Sequence, residues 1–217
     1  MNDIPFIAVE GPIGVGKTSL AKAISEHYQY HLLKEIVDEN PFLTKFYENI
    51  EEWSFQTEMF FLCNRYKQLE DIRRKQIDQQ IPVVADYHIY KNIIFAKRTL
   101  TKDQYSKYRG IYDILTVDMP KPNLIIYLNA SLPTLLHRIE KRGREMEQKM
   151  DPRYLAQLSD DYETAMSDWA SLYPDTPIIR LNGDDMDFVQ NKKDLTTIFS
   201  LLDNEFKKGA TRFEPTC

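Results

Sequence analysis

Residues 11–18 constrain the fold of this chain more than any other segment. They read Gly-Pro-Ile-Gly-Val-Gly-Lys-Thr, which matches the phosphate-loop pattern G-x-x-x-x-G-K-[ST]. Glycines let the backbone turn so that successive N–H groups point at a phosphate, and the following helix aims its positive end at the same place. The pattern predicts binding of ATP and Mg²⁺. The binding residues that it predicts are Gly11, Pro12, Ile13, Gly14, Val15, Gly16, Lys17 and Thr18.

Short apolar runs alternate with longer amphipathic segments along the 217 residues. This alternation predicts an α/β fold with a five-stranded parallel sheet covered by helices on both faces. No linker divides the chain, so we expect a single domain over 1–217. The expected strands are 4–9, 31–34, 81–86, 124–128 and 177–181. The expected helices are 19–28, 53–76, 103–116, 132–141, 153–172 and 188–206. Ligands on such sheets bind beyond the carboxyl ends of the strands, here after Val9, Lys34, Asp86 and Leu128.

Composition argues against several classes of protein. The formal net charge is −5 and no Lys/Arg cluster is long, so we expect no nucleic-acid polymer as a partner. No apolar run approaches the roughly 18–20 residues of a membrane span, and the first residues do not resemble a secretion signal. The two cysteines, Cys63 and Cys217, match no metal spacing, and Cys63 is expected to be buried among apolar neighbours. These features indicate a cytoplasmic, reducing setting.

Two further segments narrow the kind of phosphate-loop protein. Asn191-Lys192-Lys193-Asp194 spells the guanine-reading N-K-x-D of GTPases, but it falls at the start of an expected helix and D-x-x-G is absent. We therefore interpret the match as coincidence. The segment from about 142 to 150 is rich in arginine and glutamate. It is typical of kinases of small metabolites, in which a lid brings arginines over the transferring phosphate.

Several blocks in order resemble the deoxyribonucleoside kinase family, most closely its bacterial deoxyadenosine/deoxycytidine kinase branch. The resemblance runs from the phosphate loop to about Phe206. The blocks that carry it are Gly11–Thr18, Lys34-Glu35 with Asn40-Pro41-Phe42, Phe46-Tyr47 with Trp53-Ser54-Phe55, Tyr127-Leu128 with Arg138-Ile139 and Arg142-Gly143-Arg144, and Leu181-Asn182-Gly183-Asp184 with Asp187-Phe188.

The resemblance implies roles for individual residues in transfer of the ATP γ-phosphate to a 5′-hydroxyl. Glu35, at the end of a strand, matches the family's general base. Asp86 matches an acid that holds Mg²⁺ through water, together with Thr18. The family's helix and lid arginines correspond to Arg138, Arg142 and Arg144. Glu147 and Tyr47 match residues that bind the sugar 3′-hydroxyl. The resemblance also implies a homodimer packed through long helices.

Base recognition has two alternatives in the sequence. The family reads the base with a glutamine on the long helix, and this residue aligns with Glu58 without gaps or with Gln56 by the local Phe-Gln pair. The ungapped choice also places Arg65 on a family arginine, seven residues from Glu58 and so on one helix face, and we therefore prefer Glu58. An ionised carboxylate accepts hydrogen bonds only, so it should favour amino-bearing adenine or cytosine over thymine. Trp53, Phe55 and Tyr90 are candidate stacking walls.

Other positions are weaker or depart from the family. Asp184 and Asp185 resemble the loop that holds the adenine of ATP. Beside Asp86 the family usually carries an arginine, whereas this chain has Tyr87, and His88 is a candidate replacement. The alternatives are a nucleoside monophosphate kinase of the thymidylate-kinase type and a non-catalytic nucleotide-binding module. The first needs an extra arginine where Tyr87 stands.

Overall fold

The computed structural model describes residues 4–37, 39–147 and 150–211. Within them lies one five-stranded sheet in the order β2-β3-β1-β4-β5, and every neighbouring pair is parallel. The predicted α/β fold is confirmed. The strands are β1 (Phe6–Glu10), β2 (His31–Leu33), β3 (Val83–Ala85), β4 (Leu124–Asn129) and β5 (Ile178–Asn182).

Helices cover both faces of the sheet, as the alternation of apolar runs predicts. Short 3₁₀ turns occupy Ile77–Gln79 and Glu145–Glu147. The six helices expected from the sequence are present, and two more, α2 and α4, were not expected. The helices are α1 (Lys17–Tyr28), α2 (Leu43–Glu48), α3 (Ile50–Lys75), α4 (Lys91–Thr99), α5 (Lys102–Thr116), α6 (Leu132–Arg142), α7 (Pro152–Leu172) and α8 (Lys192–Thr211).

The central strand β1 is buried over its whole length and separates two hydrophobic cores. Successive side chains of a strand point to opposite faces, so Ile7 and Val9 enter one core with Trp169 of α7. Phe6 enters the other core, with Leu69 of α3. This burial on both faces fixes the end of β1, and hence the phosphate loop that follows it.

Three smaller expectations have clear outcomes. Cys63 is exposed, so the expectation of a buried thiol is wrong: it follows Leu62 on α3, and one residue turns a helix by about 100°. The N-K-x-D segment does run into the start of α8, at Lys192, as expected for a coincidental match. Among the described helices, none combines the length and apolar character needed to cross a bilayer.

Candidate active site

A cavity of about 890 Å³ opens at the carboxyl edge of the sheet. The phosphate loop, α3, α4 and α6 line it, together with the segment from Gly183 to Gln190 after β5. This is where a parallel α/β sheet places its ligands. Most of the predicted site residues lie around this one cavity.

The phosphate loop has the backbone that its glycines permit. Gly11 has φ 146°, and a Cβ there would lie 2.2 Å from the carbonyl oxygen of Leu128. Gly16 has φ 105°, a left-handed conformation that side chains disfavour, directly before α1 begins at Lys17. The Lys17 ammonium lies 2.8 Å from the Gly11 carbonyl oxygen and 2.9 Å from that of Pro12. The loop thus presents a helix N-terminus and a cation to the cavity.

The predicted magnesium residues meet at the foot of the loop. The Thr18 hydroxyl donates to Oδ2 of Asp86 at 2.7 Å, although the two residues are 68 positions apart. The other oxygen, Oδ1, accepts the backbone N–H of Glu35 at 2.7 Å. Among the described residues, no cluster of three His, Cys, Asp or Glu side chains could hold a metal ion. A hydroxyl with one carboxylate fits Mg²⁺, which binds few protein groups and takes its other ligands from phosphates and water.

Glu35 lies at the centre of a buried network of cations. Its carboxylate is 2.8 and 2.9 Å from the ammonium of Lys91 and accepts from Nε and Nη2 of Arg65. Arg65 also donates to the Asn92 amide oxygen at 2.9 Å. Burial alone would raise the pKa of Glu35, but the charges of Lys91 and Arg65 outweigh it and hold the pKa well below its usual range. The side chain is therefore a carboxylate at neutral pH.

The two candidates for base recognition occupy opposite sides of α3. Gln56 is exposed and does not line the cavity. Glu58 lines it and is only 2% exposed. Its Oε1 accepts from the Thr99 hydroxyl at 3.3 Å, whereas Oε2 is buried with no hydrogen-bond partner among the described residues. Burial, partly offset by the charge of Arg65, raises the pKa of Glu58 to about 7.

The predicted arginines form two groups above the phosphate loop. Arg138, on α6, donates to the Val15 carbonyl at 3.1 Å and to the Gly183 carbonyl at 2.7 Å. Arg142 and Arg144 both contact the carboxylate of Glu147. Within the expected lid, residues 148 and 149 lie outside the described residues.

Tyr47, the other predicted sugar residue, lines the cavity near Glu147. Burial raises its pKa, and the charge of Glu147 adds to the increase. A neutral phenol beside a carboxylate can donate and accept hydrogen bonds, as binding of a hydroxyl requires.

The expected adenine loop borders the cavity on the far side of the phosphate loop. Asp184 accepts from the Ser131 backbone at 2.8 Å and from its hydroxyl at 3.0 Å, and Asp185 accepts from Asn182 at 2.8 Å. These bonds shape the loop from within. Phe188 packs against Gly16 and lines the cavity together with Met186 and Val189.

Tyr87 and His88 both point away from the cavity. The buried Tyr87 donates its hydroxyl to Gln68 of α3 at 2.7 Å. His88 packs edge-on against Trp169 with ring centroids 5.3 Å apart, and burial lowers its pKa to about 4. Neither residue supplies a cation to the site, so His88 does not replace the family arginine.

The sequence analysis missed several residues that line the cavity. Lys91 and Phe95 are four apart on α4, and Phe61 lies between Glu58 and Arg65 on the inner face of α3. The expected stacking residues pack elsewhere: Trp53 lies against Phe42 and Tyr90 against Trp169, and Phe55 does not line the cavity. The spacing of three and four residues from Glu58 through Phe61 to Arg65 is the signal that could have found this face.

A phosphate loop followed by a hydroxyl–carboxylate pair, a buried carboxylate and arginines from α6 defines a P-loop kinase of small molecules. The model of the deoxynucleoside kinase family matches residues 7–207, and the chain belongs to that family. It is thus an ATP-dependent nucleoside kinase, as the resemblance implied.

The relatives include several substrate types. The chain is 57% identical over 198 residues to the deoxyguanosine kinase of Bacillus subtilis (strain 168), covering 91% of this chain and 96% of the relative. It is 33% identical over 201 residues to the deoxyadenosine/deoxycytidine kinase of the same organism, covering 89% of each. The solved structure of deoxyadenosine kinase from M. mycoides with bound dATP matches with a TM-score of 0.79 and 25% identity, over 92% of this chain and 99% of that one.

Proposed function

We propose that this kinase transfers the γ-phosphate of ATP to the 5′-hydroxyl of deoxyguanosine. The observation that carries the proposal is the Glu58 side chain, which is buried at the cavity wall and has one oxygen without a hydrogen-bond partner among residues 4–37, 39–147 and 150–211. Leaving a buried acceptor without a hydrogen-bond partner costs free energy, so a ligand that donates a hydrogen bond to it binds more tightly.

The hydrogen-bonding edges of the bases distinguish the candidates. Guanine presents two adjacent donors, N1–H and the N2 amino group, beside the acceptor O6. An ionised Glu58 offers two acceptors, and nearby Arg65 carries only donors. Adenine and cytosine instead present one donor and one ring-nitrogen acceptor, and an ionised carboxylate repels that acceptor. The relative that is 57% identical is a deoxyguanosine kinase, which agrees with guanine.

Deoxyadenosine and deoxycytidine, the acceptors that the sequence favoured, are the second candidate. A protonated Glu58 presents one donor and one acceptor and so matches both of these bases. The raised pKa of Glu58, about 7, makes that form accessible near neutral pH. The relative that is 33% identical carries both substrates in its name.

The remaining residues form the machinery of in-line phosphoryl transfer. Glu35 takes the proton of the 5′-hydroxyl as the new bond to phosphorus forms. Lys17 and Arg138, Arg142 and Arg144 neutralise the charge on the phosphates, because guanidinium groups match the phosphate oxygens. Tyr47 and Glu147 hold the sugar hydroxyl, and the Gly183–Gln190 loop with Asp184 and Asp185 borders the adenine of ATP.

Magnesium ion, held through Thr18 and Asp86, would supply charge stabilisation on the phosphates of ATP. The two residues meet at 2.7 Å through the donor and acceptor atoms that this role uses. Asp86 also holds the backbone N–H of Glu35 and so ties the metal residues to the proposed base.

We also propose a homodimer in the cytoplasm. Helix α5 and the residue after it expose Ile111, Ile114 and Val117, with exposed fractions of 36%, 77% and 74%. Apolar residues grouped on one helix face are suited to packing against a second copy. Ile114→Glu should shift the mass measured by light scattering from dimer to monomer while leaving the fold intact. A wild-type chain that runs as a monomer at every concentration would refute the dimer.

An assay of the purified protein with ATP and Mg²⁺ tests the proposed reaction. The four deoxynucleosides and the four deoxynucleoside monophosphates are incubated separately, and the products are separated by chromatography. We expect monophosphate from deoxyguanosine. Diphosphates formed from monophosphates, with nucleosides inert, would show a kinase of the thymidylate-kinase type. ATP binding without turnover of any acceptor would show a non-catalytic module.

A further inference from the structure

Lys91 is a buried cation that the reaction described above leaves without a role. It is the first residue of α4, and its side chain is 7% exposed. Its ammonium lies 2.9 Å from Oε1 and 2.8 Å from Oε2 of Glu35, so it spans the whole carboxylate. Burying a lysine is expensive, and lysines are rarely buried without a paired charge.

Neutralising Glu35 does not by itself explain Lys91. Arg65 already makes two hydrogen bonds to Glu35, so one carboxylate carries two cations. The three other acids nearby accept from neutral donors: Asp86 from Thr18 and a backbone N–H, Glu10 from the backbone N–H of His88, and Glu58 from the Thr99 hydroxyl. Both Lys91 and Arg65 therefore bond directly to Glu35, although three other acids lie within reach of their charges.

The two cations constrain Glu35 in different ways. Both hydrogen bonds from Arg65 go to Oε1, so they do not prevent the carboxylate from rotating about its last side-chain bond. The ammonium of Lys91 bonds both oxygens, so it fixes the rotation of the carboxylate about its last side-chain bond. Lys91 also lines the cavity, as do Lys17 and Glu35.

We propose that Lys91 is a positioning residue that holds the Glu35 carboxylate in the orientation that receives the proton of the acceptor 5′-hydroxyl. The inference rests on the proposed role of Glu35 as the base. In the transfer the 5′ O–H bond breaks and its proton goes to Glu35. The bond from O5′ to Pγ forms, and the bond from Pγ to the bridging oxygen breaks with its electron pair leaving on ADP. Lys91 neither gains nor loses a proton.

The first test separates positioning from folding and from binding. We expect Lys91→Met to lower kcat by about 10²-fold, the effect of a misplacement of about 1 Å, while KM for ATP and for the nucleoside stay within about threefold. Lys91→Arg, which keeps two donors to the carboxylate, should recover most of the lost kcat. Lys97→Met, on the exposed side of the same helix, is the matched control and should behave as wild type.

A double-mutant cycle then asks whether Lys91 acts through Glu35. We expect Glu35→Gln combined with Lys91→Met to have nearly the kcat of Glu35→Gln alone, because there is no base left to position. Losses that multiply, an unchanged kcat in Lys91→Met, or a change confined to KM would each overturn the inference. If the wild-type protein phosphorylates no nucleoside, the proposed function itself is refuted. The wild-type assay shows this before any variant is made.

Discussion

Replacing Glu58 by glutamine should invert the base preference of this kinase. The substitution keeps the size of the side chain and exchanges one acceptor oxygen for an NH₂ donor. Against guanine, that donor faces a donor of the base, so a buried polar pair is left unsatisfied. Against adenine, the amide matches both the ring nitrogen and the amino group. One change therefore weakens one substrate and strengthens the other.

The structure allows a magnitude for this inversion. Glu58 is 2% exposed and its Oε2 has no protein partner among the described residues, so the full cost of an unpaired buried group applies. That cost is about 1–3 kcal/mol, equivalent to about 5- to 150-fold. Because the loss for guanine and the gain for adenine multiply, the ratio of the two kcat/KM values should change by at least about 25-fold.

The assay measures kcat/KM for deoxyguanosine and deoxyadenosine at pH 8, where Glu58 is mostly ionised. Gln56→Glu is the matched counterpart, because Gln56 lies on the same helix but is exposed, and it should leave the ratio unchanged. An unchanged ratio in Glu58→Gln would refute base recognition by Glu58. A shifted ratio in Gln56→Glu would assign that role to Gln56.

Three further results are expected. In the wild type, the preference for deoxyguanosine over deoxyadenosine should rise from about pH 6 to pH 8. Burial raises the pKa of Glu58 to about 7, so the ionised form, which only accepts hydrogen bonds, accumulates above that pH. In Glu58→Gln the ratio should stay constant over the same range. Glu35→Gln should lower kcat by about 10²–10⁴-fold with ATP affinity, measured by calorimetry, nearly unchanged, and near-full kcat would contradict its role as the base. Lys17→Ala should lose most activity together with much of the ATP affinity, and retention of both would contradict the assignment of the phosphate clamp.

The inner strands β1, β3 and β4 could be predicted because they are buried on both faces. Strands such as Ile7–Val9 and Leu124–Leu128 then appear as uninterrupted apolar runs, which are visible without any knowledge of partners. The missed helices lack such a signal. Helix α2 has only six residues, too few to show a period. Helix α4 begins with the buried polar residues Lys91 and Asn92, which bond to Glu35 and Arg65, so these polar residues interrupt the apolar stripe that would have indicated a helix.

Site residues could be predicted where a sequence motif fixes the backbone, and less well where the orientation of a helix determines which side chains face the cavity. The phosphate loop and the carboxylates at strand ends follow from the motif and from the rule for parallel sheets. Glu58 could be preferred over Gln56 only through its seven-residue spacing from Arg65; two residues turn a helix by about 200°, so only one of the two candidates can face the cavity. Lys91 was missed because its partner Glu35 is 56 residues away, and only the fold brings the two together.

Competition among acceptors in one tube tests the central claim most directly. Wild-type enzyme, ATP and Mg²⁺ are mixed with equal concentrations of deoxyguanosine, deoxyadenosine, deoxycytidine and thymidine at pH 8, and the first monophosphates formed are separated by chromatography. The ratio of products gives the ratio of kcat/KM values. We predict that deoxyguanosine monophosphate predominates and that thymidine is nearly unreacted. Predominance of deoxyadenosine or deoxycytidine monophosphate would contradict recognition of guanine by an ionised Glu58.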